Sequence, residues 1–473
     1  MKRQTITAGL CLILQALHAQ HARIDSLMRV IADRTEFSGT VLVADRGEVI
    51  YHKAFGLASR EWNVPNTVES RYKLASLSKQ FTALLILQLA HEGKLSLDDP
   101  LVKHIPAYRV QHAERITLRH VLSHTSGIPN YHVIPGFDSV VAKQPRTLER
   151  FVDLFLDKPL LFEPGSASHY SNLGYSALAL VVERVTGKPF SEQLRTRVFE
   201  PAGMVDSFTE DDPRVMPRMA QGYVNTWTSY DREAYRDPSS VIGSGHVSST
   251  TMDLFRYDRA LRNGTLLPTH LQAAWIRPVR GDFGLGWMVM RYFVPGRDSV
   301  TVAYHDGGNR GFTTVMYRFI ENDRCIVVLS NTSMYDIYGV AGRIARILHG
   351  REVPPVKRPL VQAIARILKN EGREQALAFF RRHRSDPEYT LDGAAANSLG
   401  YLLMGQGRLE DAVCVFELNV EAFPEVADPY DSLAEGYMKQ GRRELAIANY
   451  KHSLELDPHN ENAKVMLKKL GAP

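Results

Sequence analysis

The residues best suited to chemistry open a strongly apolar segment. In "KLASLSKQFTALLILQLAHEGKLSLDDPL", which begins at Lys73, Ser76 precedes Lys79 by three positions. On a helix that spacing sets both side chains on one face, with about 5–6 Å between their Cβ atoms. Helix-start amides also lie near the serine, where they can meet an anion. A serine hydroxyl is a poor nucleophile until a base takes its proton. A free lysine amine, with a pKa of about 10.4, is charged at neutral pH and offers no lone pair. Burial or a nearby cation lowers that value. The pair can therefore act as nucleophile and base only if the fold desolvates the lysine and supplies further polar groups.

Composition alone predicts about two Ser-x-x-Lys matches in a chain this long. The second, Ser70 with Lys73, lies before the helix, and Ser70 reads as a solvated or hydrogen-bonded loop serine. Two later stretches offer the missing polar groups. "FEPGSASHYSNLGYSALALVVERVTG" sets Tyr170 and Asn172 two apart, after Pro164-Gly165 and before an apolar helix. "VAYHDGGNRGFT" ends a strand pattern with His305, Gly307 and Gly308. Tyr223-x-Asn225 repeats the first spacing without the Pro-Gly lead-in, and His91-x-Gly93 falls where the first helix ends, as a cap. His120 and His124 are four apart but have no glutamate between them in the metalloprotease position and no evident third ligand. They read as structural, with His124 bonding its own loop. No G-x-S-x-G elbow is present for a Ser-His-Asp triad.

These residues need a frame. "SGTVLVADRGEVIYHKAFG", from Ser38, alternates apolar and polar residues around "DRG", a strand–turn–strand pattern. Strand patterns return in "GLGWMVMRYFV", "DSVTVAYHDGG", "GFTTVMYRF" and "RCIVVLSN". Strands at both ends with helices between predict one sheet built from the two ends of the chain and covered by helices. The amphipathic "YGVAGRIARILHG" is one such covering helix.

Ser76-x-x-Lys79, Tyr170-x-Asn172 and His305-x-Gly307 occur in the order found in class C-type serine β-lactamases and penicillin-binding-protein-like hydrolases, which residues 25–350 resemble. "VLSHTSGIP", "FEPGSASHYSNLGYSAL" and "FEPAGM" resemble the same family. The resemblance implies an antiparallel sheet flanked by helices plus a helical region. It implies Ser76 as the acylated nucleophile, Lys79 as its proton acceptor and Tyr170 as a partner in acid–base work. It further implies Asn172 orienting Lys79 and the substrate amide, an oxyanion hole from the amides of Ser76 and Gly308, and His305 and Gly307 as substrate-binding residues. Two departures stand out. His305 occupies the place where the lactamases usually carry lysine, and His-x-Gly is familiar in the esterase and D-amino-acid peptidase branches. His246, in "GSGHVSSTTMDL", stands where relatives tend to have glycine, and its side chain either narrows the site or does nothing.

Length and composition bound the rest. At 473 residues more than one domain is expected. A formal net charge of +5, with no basic tract interleaved with aromatics, argues against a nucleic-acid partner. Lys2 and Arg3 precede the short apolar run "ITAGLCLILQALHAQ", so residues 1–22 read as a secretory signal peptide cleaved after Ala19 or Ala22, with an uncleaved anchor as the alternative. A secreted or periplasmic protein follows. Cys325 and Cys414 fall in different regions, which argues against a disulfide.

Pro354, Pro355 and Pro359 mark a boundary. Beyond it, Gly407 recurs as Gly441, Ala412 as Ala446, Phe416 as Tyr450 and Pro424 as Pro458, each 34 residues apart. That period resembles tetratricopeptide (TPR) repeats. Residues 351–395 read as a Pro-containing linker with a divergent helical pair, and 396–473 as the repeats, an all-α domain following the hydrolase domain at 23–350. Stacked repeats offer a concave surface for a protein or peptide partner; packing on the hydrolase or self-association is the alternative. The expected function is a serine hydrolase acting on a small-molecule or peptide substrate: an ester, an amide, a D-amino-acid peptide or a β-lactam. It implies no cofactor and no metal, because serine, lysine and tyrosine suffice for acyl transfer. The alternative is an inactive scaffold that acts as an adaptor through its repeats.

Overall fold

The structure is a computed structural model that describes residues 2–294, 299–309, 311–333 and 336–472, with side chains from residue 19 onward. It divides into two units, residues 1–224 with 232–354, and residues 225–231 with 355–473.

The first unit is built on six antiparallel strands. In chain order these are β1 (Gly39–Asp45), β2 (Glu48–Phe55), β3 (Met288–Tyr292), β4 (Val300–Gly308), β5 (Thr313–Phe319) and β6 (Arg324–Ser330). They lie side by side as β3-β4-β5-β6-β1-β2, so β1 pairs with β6 from the far end of the unit, Gly39 opposite Ser330 and Asp45 opposite Arg324. The sheet is thus assembled from both ends, as the alternating pattern predicts. Arg46 and Gly47 join β1 to β2 with φ of 53° and 80°. Two positive φ values give the turn whose twist matches that of a hairpin, and glycine adopts one without strain.

Every residue of β1 is buried, because helices cover both sheet faces. Leu42 and Ala44 join the main core with Met316, Val327 and Leu329, and with Phe255 and Leu261 from the helix Thr251–Arg262. Val41 and Val43, equally buried, point the opposite way. On that side the helix Ile337–Leu348 packs on β5 and β6 and against the N-terminal helix Lys2–Thr35. The side chains of the expected signal peptide up to residue 18 lie outside the described residues. Among the described residues no helix is long and apolar enough to cross a membrane.

Two helices between β2 and β3 carry the site: α1 (Lys79–His91) and α2 (Asn172–Thr186), packed against each other. Before α1 the chain differs from the expected helix start at Ser76. A 3-10 turn spans Ala75–Ser78, entered through Ala75 at φ 49°, a left-handed conformation costly for a residue with a Cβ. The amide of Gly93, at φ 71°, donates to the Ala90 carbonyl and ends α1.

The second unit stacks helical pairs, from Leu360–Asn370 with Arg373–His383 to Ala427–Lys439 with Arg443–Leu456, and Glu461–Lys469 follows as a single last helix. The divergent pair, expected within a separate 351–395 segment, shares one apolar core with the later helices: Leu360, Ile364 and Phe380 cluster with Leu399, Phe416 and Leu433. Positions 34 apart have matching environments. Gly407 and Gly441 have φ of 78° and 76°, and Ala412, Ala446, Phe416 and Tyr450 are fully buried. Residues 225–231 belong to this unit through Trp227, which is buried in the same core. The sequence carried no signal for that insertion.

Candidate active site

Ser76 follows the strained Ala75, and Lys79 opens α1 with its whole side chain buried. Lys79 Nζ lies 3.1 Å from Ser76 Oγ. It donates to Asn172 Oδ1 at 2.7 Å and to the Ser244 carbonyl at 2.8 Å. Among the described residues no carboxylate is within ion-pair distance of it. Burial lowers its pKa well below that of a free amine, with Asp306 acting weakly the other way. A neutral amine has two N–H bonds and one lone pair. In that form, with both N–H groups on the Asn172 and Ser244 acceptors, the lone pair would face the Ser76 hydroxyl.

Asn172 is the first residue of α2, and its position comes from the cap before it. Ser171 Oγ accepts from Gly174 N at 3.0 Å and donates to the Pro129 carbonyl at 2.8 Å. Asn130 then completes the brace. Its Oδ1 accepts from Asn172 Nδ2 at 3.2 Å, and its Nδ2 donates to the Tyr170 carbonyl at 3.3 Å. With Nδ2 so occupied, Asn172 Oδ1 is the atom turned to Lys79.

Tyr170 sits beside both reacting groups: its ring centroid is 4.8 Å from Lys79 Nζ, and its hydroxyl reaches Ser76. Burial pushes its pKa upward, and the Ser76 contact only partly opposes that. It is held as a neutral phenol, a donor rather than a phenolate base. His124 packs at 4.4 Å from the Tyr170 ring, itself in a left-handed conformation at φ 57°. Its Nδ1 accepts from Ser171 N at 3.1 Å. That corrects the expectation that His124 bonds its own loop: it braces the Tyr170 segment 47 residues later. Burial keeps it neutral. His120 is engaged elsewhere, its Nδ1 accepting from Thr117 N at a helix cap.

A cavity of about 400 Å³ opens on this group, and Ser76, Asn172 and Gly308 line it together with Ser244 and Asn309. Lys79, Tyr170, His305 and Gly307 are not part of its lining. His305 was expected to touch substrate, yet it is 2% exposed. Strand alternation turns it inward with Ala303 and Gly307. Its Nδ1 donates to the Asp306 carbonyl at 2.6 Å, and burial pushes its pKa down to about 4. Gly307 is needed for space, since a Cβ there would fall onto the Leu74 carbonyl oxygen. That close approach, reinforced by Thr314 Oγ1 donating to the same oxygen at 2.8 Å, presses β4 against the turn carrying Ser76. At Gly308 a Cβ would meet nothing within 4 Å.

A family model described as Beta-lactamase matches residues 24–347. The chain belongs to the Beta-lactamase family. This family member is 31% identical over 365 residues to Penicillin-binding protein 4* of Bacillus subtilis (strain 168), covering 71% of this chain and 78% of that protein. It is 33% identical over 207 residues to Esterase EstB of Burkholderia gladioli, covering 41% and 52%. A penicillin binding protein from Bacillus halodurans, of solved crystal structure, superposes with a TM-score of 0.61 at 28% identity, covering 68% of this chain and 98% of the other. As a β-lactamase-family chain with such relatives, the protein falls within the serine hydrolase superfamily.

The rival motifs lie in other networks. Ser70 is buried and its Oγ accepts from Thr67 N at 2.9 Å. The Tyr223 hydroxyl bonds Glu61 and accepts from Arg60 N. His246 is buried against Phe190, away from the cavity lining, so it does not narrow the site. Sequence reasoning missed Ser244, which acts through its backbone carbonyl, and Asn130, a lone side chain with no paired spacing. It also missed Lys73, which lines the cavity with Glu210 and Glu233.

Proposed function

We propose that this protein is a hydrolase of the penicillin-binding-protein-like, His-x-Gly branch that forms an acyl-enzyme on Ser76. Its substrates are esters, amides or D-amino-acid peptides, with β-lactams as a further class. The observation that carries this reading is the fully buried Lys79 amine 3.1 Å from Ser76 Oγ, its N–H groups directed to acceptors.

In the forward step Lys79 takes the Ser76 proton as Oγ bonds to the substrate carbonyl carbon. The carbonyl oxygen becomes an oxyanion facing the amides of Ser76 and Gly308. Such donors are typically worth about 3–4 kcal/mol each. As the tetrahedral intermediate collapses, the bond to the leaving group breaks and the proton passes to it through Lys79 and Tyr170. Water then attacks the acyl carbon, losing its proton to the same relay, and Ser76 regains its hydrogen. The neutral phenol of Tyr170 suits proton donation.

The reading extends to a TPR-like helical unit that takes a protein or peptide partner, and to a secreted or periplasmic protein whose residues 1–22 are a signal peptide. Intact-mass spectrometry after incubation with an ester, a β-lactam and a D-Ala-D-Ala peptide tests the chemistry. A transient adduct, or turnover, that vanishes in Ser76→Ala is the expected result. Turnover that survives Ser76→Ala overturns Ser76 as the nucleophile, whereas no adduct and no turnover with any of the three overturns the enzyme reading and favours an adaptor role.

A further inference from the structure

His246 is a buried polar group that the mechanism leaves unused. It is 1% exposed, and among the described residues neither Nδ1 nor Nε2 has a hydrogen-bond partner. Its ring lies 5.5 Å from the ring of Phe190, itself buried, in the helix Phe190–Leu194. A neutral imidazole occupies such a place at the cost of its unmade hydrogen bonds. An imidazolium there would be a buried charge with no acceptor, which costs far more.

The backbone on either side of His246 runs beside the turn that carries the nucleophile. Two residues earlier, the Ser244 carbonyl accepts from Lys79 Nζ at 2.8 Å. One residue later, the Val247 amide donates to Ser78 Oγ at 3.1 Å, and the Val247 carbonyl accepts from Leu74 N at 2.8 Å. The strand Val247–Ser249 then pairs with both Tyr72–Lys73 and Phe208–Thr209. The His246 ring is therefore an anchor midway between the acceptor of Lys79 and the contacts that hold the Ser76 turn. Few charges face it. The helix Phe190–Leu194 carries Glu192, which pairs with Lys188 at 2.6 Å. After Phe208–Thr209 come Glu210, which lines the catalytic cavity, and the exposed Asp211, whose charge favours an imidazolium. The turn Ala75–Ser78 carries no charge.

We propose that His246 is a positioning residue and an acid-sensitive latch: its neutral ring anchors residues 244–247 and so keeps the Ser244 carbonyl on Lys79, and its protonation releases them. The proposal rests on the acyl-enzyme reading only for what the release does at Ser76. Burial pushes the pKa of the anchored ring down to about 4, with Asp211 opposing; a free imidazole has about 6.5. Between those values the released ring holds a proton that the anchored ring does not. Each pH unit lost in that window shifts the balance by up to about tenfold toward release. The latch is therefore at full strength above about pH 6.5 and loosens as the pH falls toward 4.

Two readouts on the full chain test it. The first is an NMR titration of the protein carrying isotope-labelled histidine, with the His246 signal assigned by its loss in His246→Leu. The second is the acylation rate of Ser76 by p-nitrophenyl acetate near pH 8 and near pH 5, with circular dichroism at both. The unaltered protein is expected to lose acylation in acid and to regain it on return to the higher pH. His246→Leu fills the same apolar place without titrating. It is expected to acylate within about threefold of the unaltered protein near pH 8, and to keep at least about fivefold more of its rate near pH 5. Protonation of Lys79 slows both proteins alike, so this ratio isolates His246. A His246 ring that titrates near 6.5 in the folded protein overturns the proposal. So does the same proportional loss in both proteins. If His246→Leu does not fold, His246→Asn takes its place in both readouts. Acylation that survives Ser76→Ala, or none at either pH, sinks the acyl-enzyme reading instead, and the ring titration then decides the latch by itself.

Discussion

Lys79 Nζ lies 3.1 Å from Ser76 Oγ, and the other two atoms it bonds, Asn172 Oδ1 and the Ser244 carbonyl oxygen, can only accept. Those two acceptors fix two N–H directions and leave the remaining position on the nitrogen facing Ser76 Oγ, while burial lowers the pKa of the amine. Arginine at this position would keep the donors but could never release a proton. Lys79→Arg is expected to slow acylation of Ser76 by about 10²–10⁴-fold, the usual range for loss of a general base. Time-resolved intact mass after mixing with an activated ester measures it, and an acylation rate within a few-fold of the unaltered protein would falsify the assignment of Lys79 as base.

The same burial costs stability in a pH-dependent way. The Lys79 pKa is depressed in the folded protein and is about 10.4 when unfolded. Between those values the unfolded chain holds one proton more, so this group makes stability rise with pH, by about 1.4 kcal/mol per pH unit. Lys79→Met removes that dependence. Its stability relative to the unaltered protein is expected to fall steadily as pH is raised from neutrality toward 10. Urea titrations at three pH values read the trend; a flat difference contradicts it.

Asn172 offers a way to reset the base without removing it. Asn172→Asp places a carboxylate where the amide oxygen now stands 2.7 Å from Nζ. An opposite charge at that range favours the protonated amine, and the rising limb of kcat/KM against pH is expected to move up by about 1–3 pH units. If the profile keeps its position and only its height drops, Lys79 is not the group that titrates.

Adjacent glycines should behave differently. Gly307→Ala drives a methyl group onto the Leu74 carbonyl, whereas Gly308→Ala points into open space. The first is expected to cost about 1–3 kcal/mol or more, as overpacking does, and to disturb the turn bearing Ser76. The second is expected to leave the melting temperature within about 2 °C, since surface changes usually stay within about 0.5 kcal/mol. Thermal denaturation of both variants checks the contrast, and equal losses would refute it.

Much of the fold is legible in the sequence. The hairpin Gly39–Phe55 announced itself by alternation around Arg46-Gly47, and strands β3 to β6 by their apolar runs. His305 shows where such reading stops. Its motif position pointed to substrate, but the two-residue period of β4 places it on the inward face, where it is buried. Trp227 shows another limit. A tryptophan at the turn of a short hairpin carries no periodicity, and only its burial in the helical core reveals what it does. Ser244 contributes a backbone carbonyl, which every residue possesses, so no residue type could have marked it. Glu210 and Glu233 stood 23 residues apart without a recognisable pattern.

By itself the sequence determined the strands and helices, the 34-residue repeat and the order in which Ser76, Lys79, Tyr170 and Asn172 occur. Those properties depend on neighbours within a few residues, where spacing and side-chain type suffice. Only the tertiary structure decided that Lys79 is a desolvated amine aimed at Ser76. Its acceptors arrive from 93 and 165 residues away, and its burial depends on the packing of α1 against α2 and the sheet. Protonation state is set by the surroundings of the charge, and those surroundings exist only once the chain has folded.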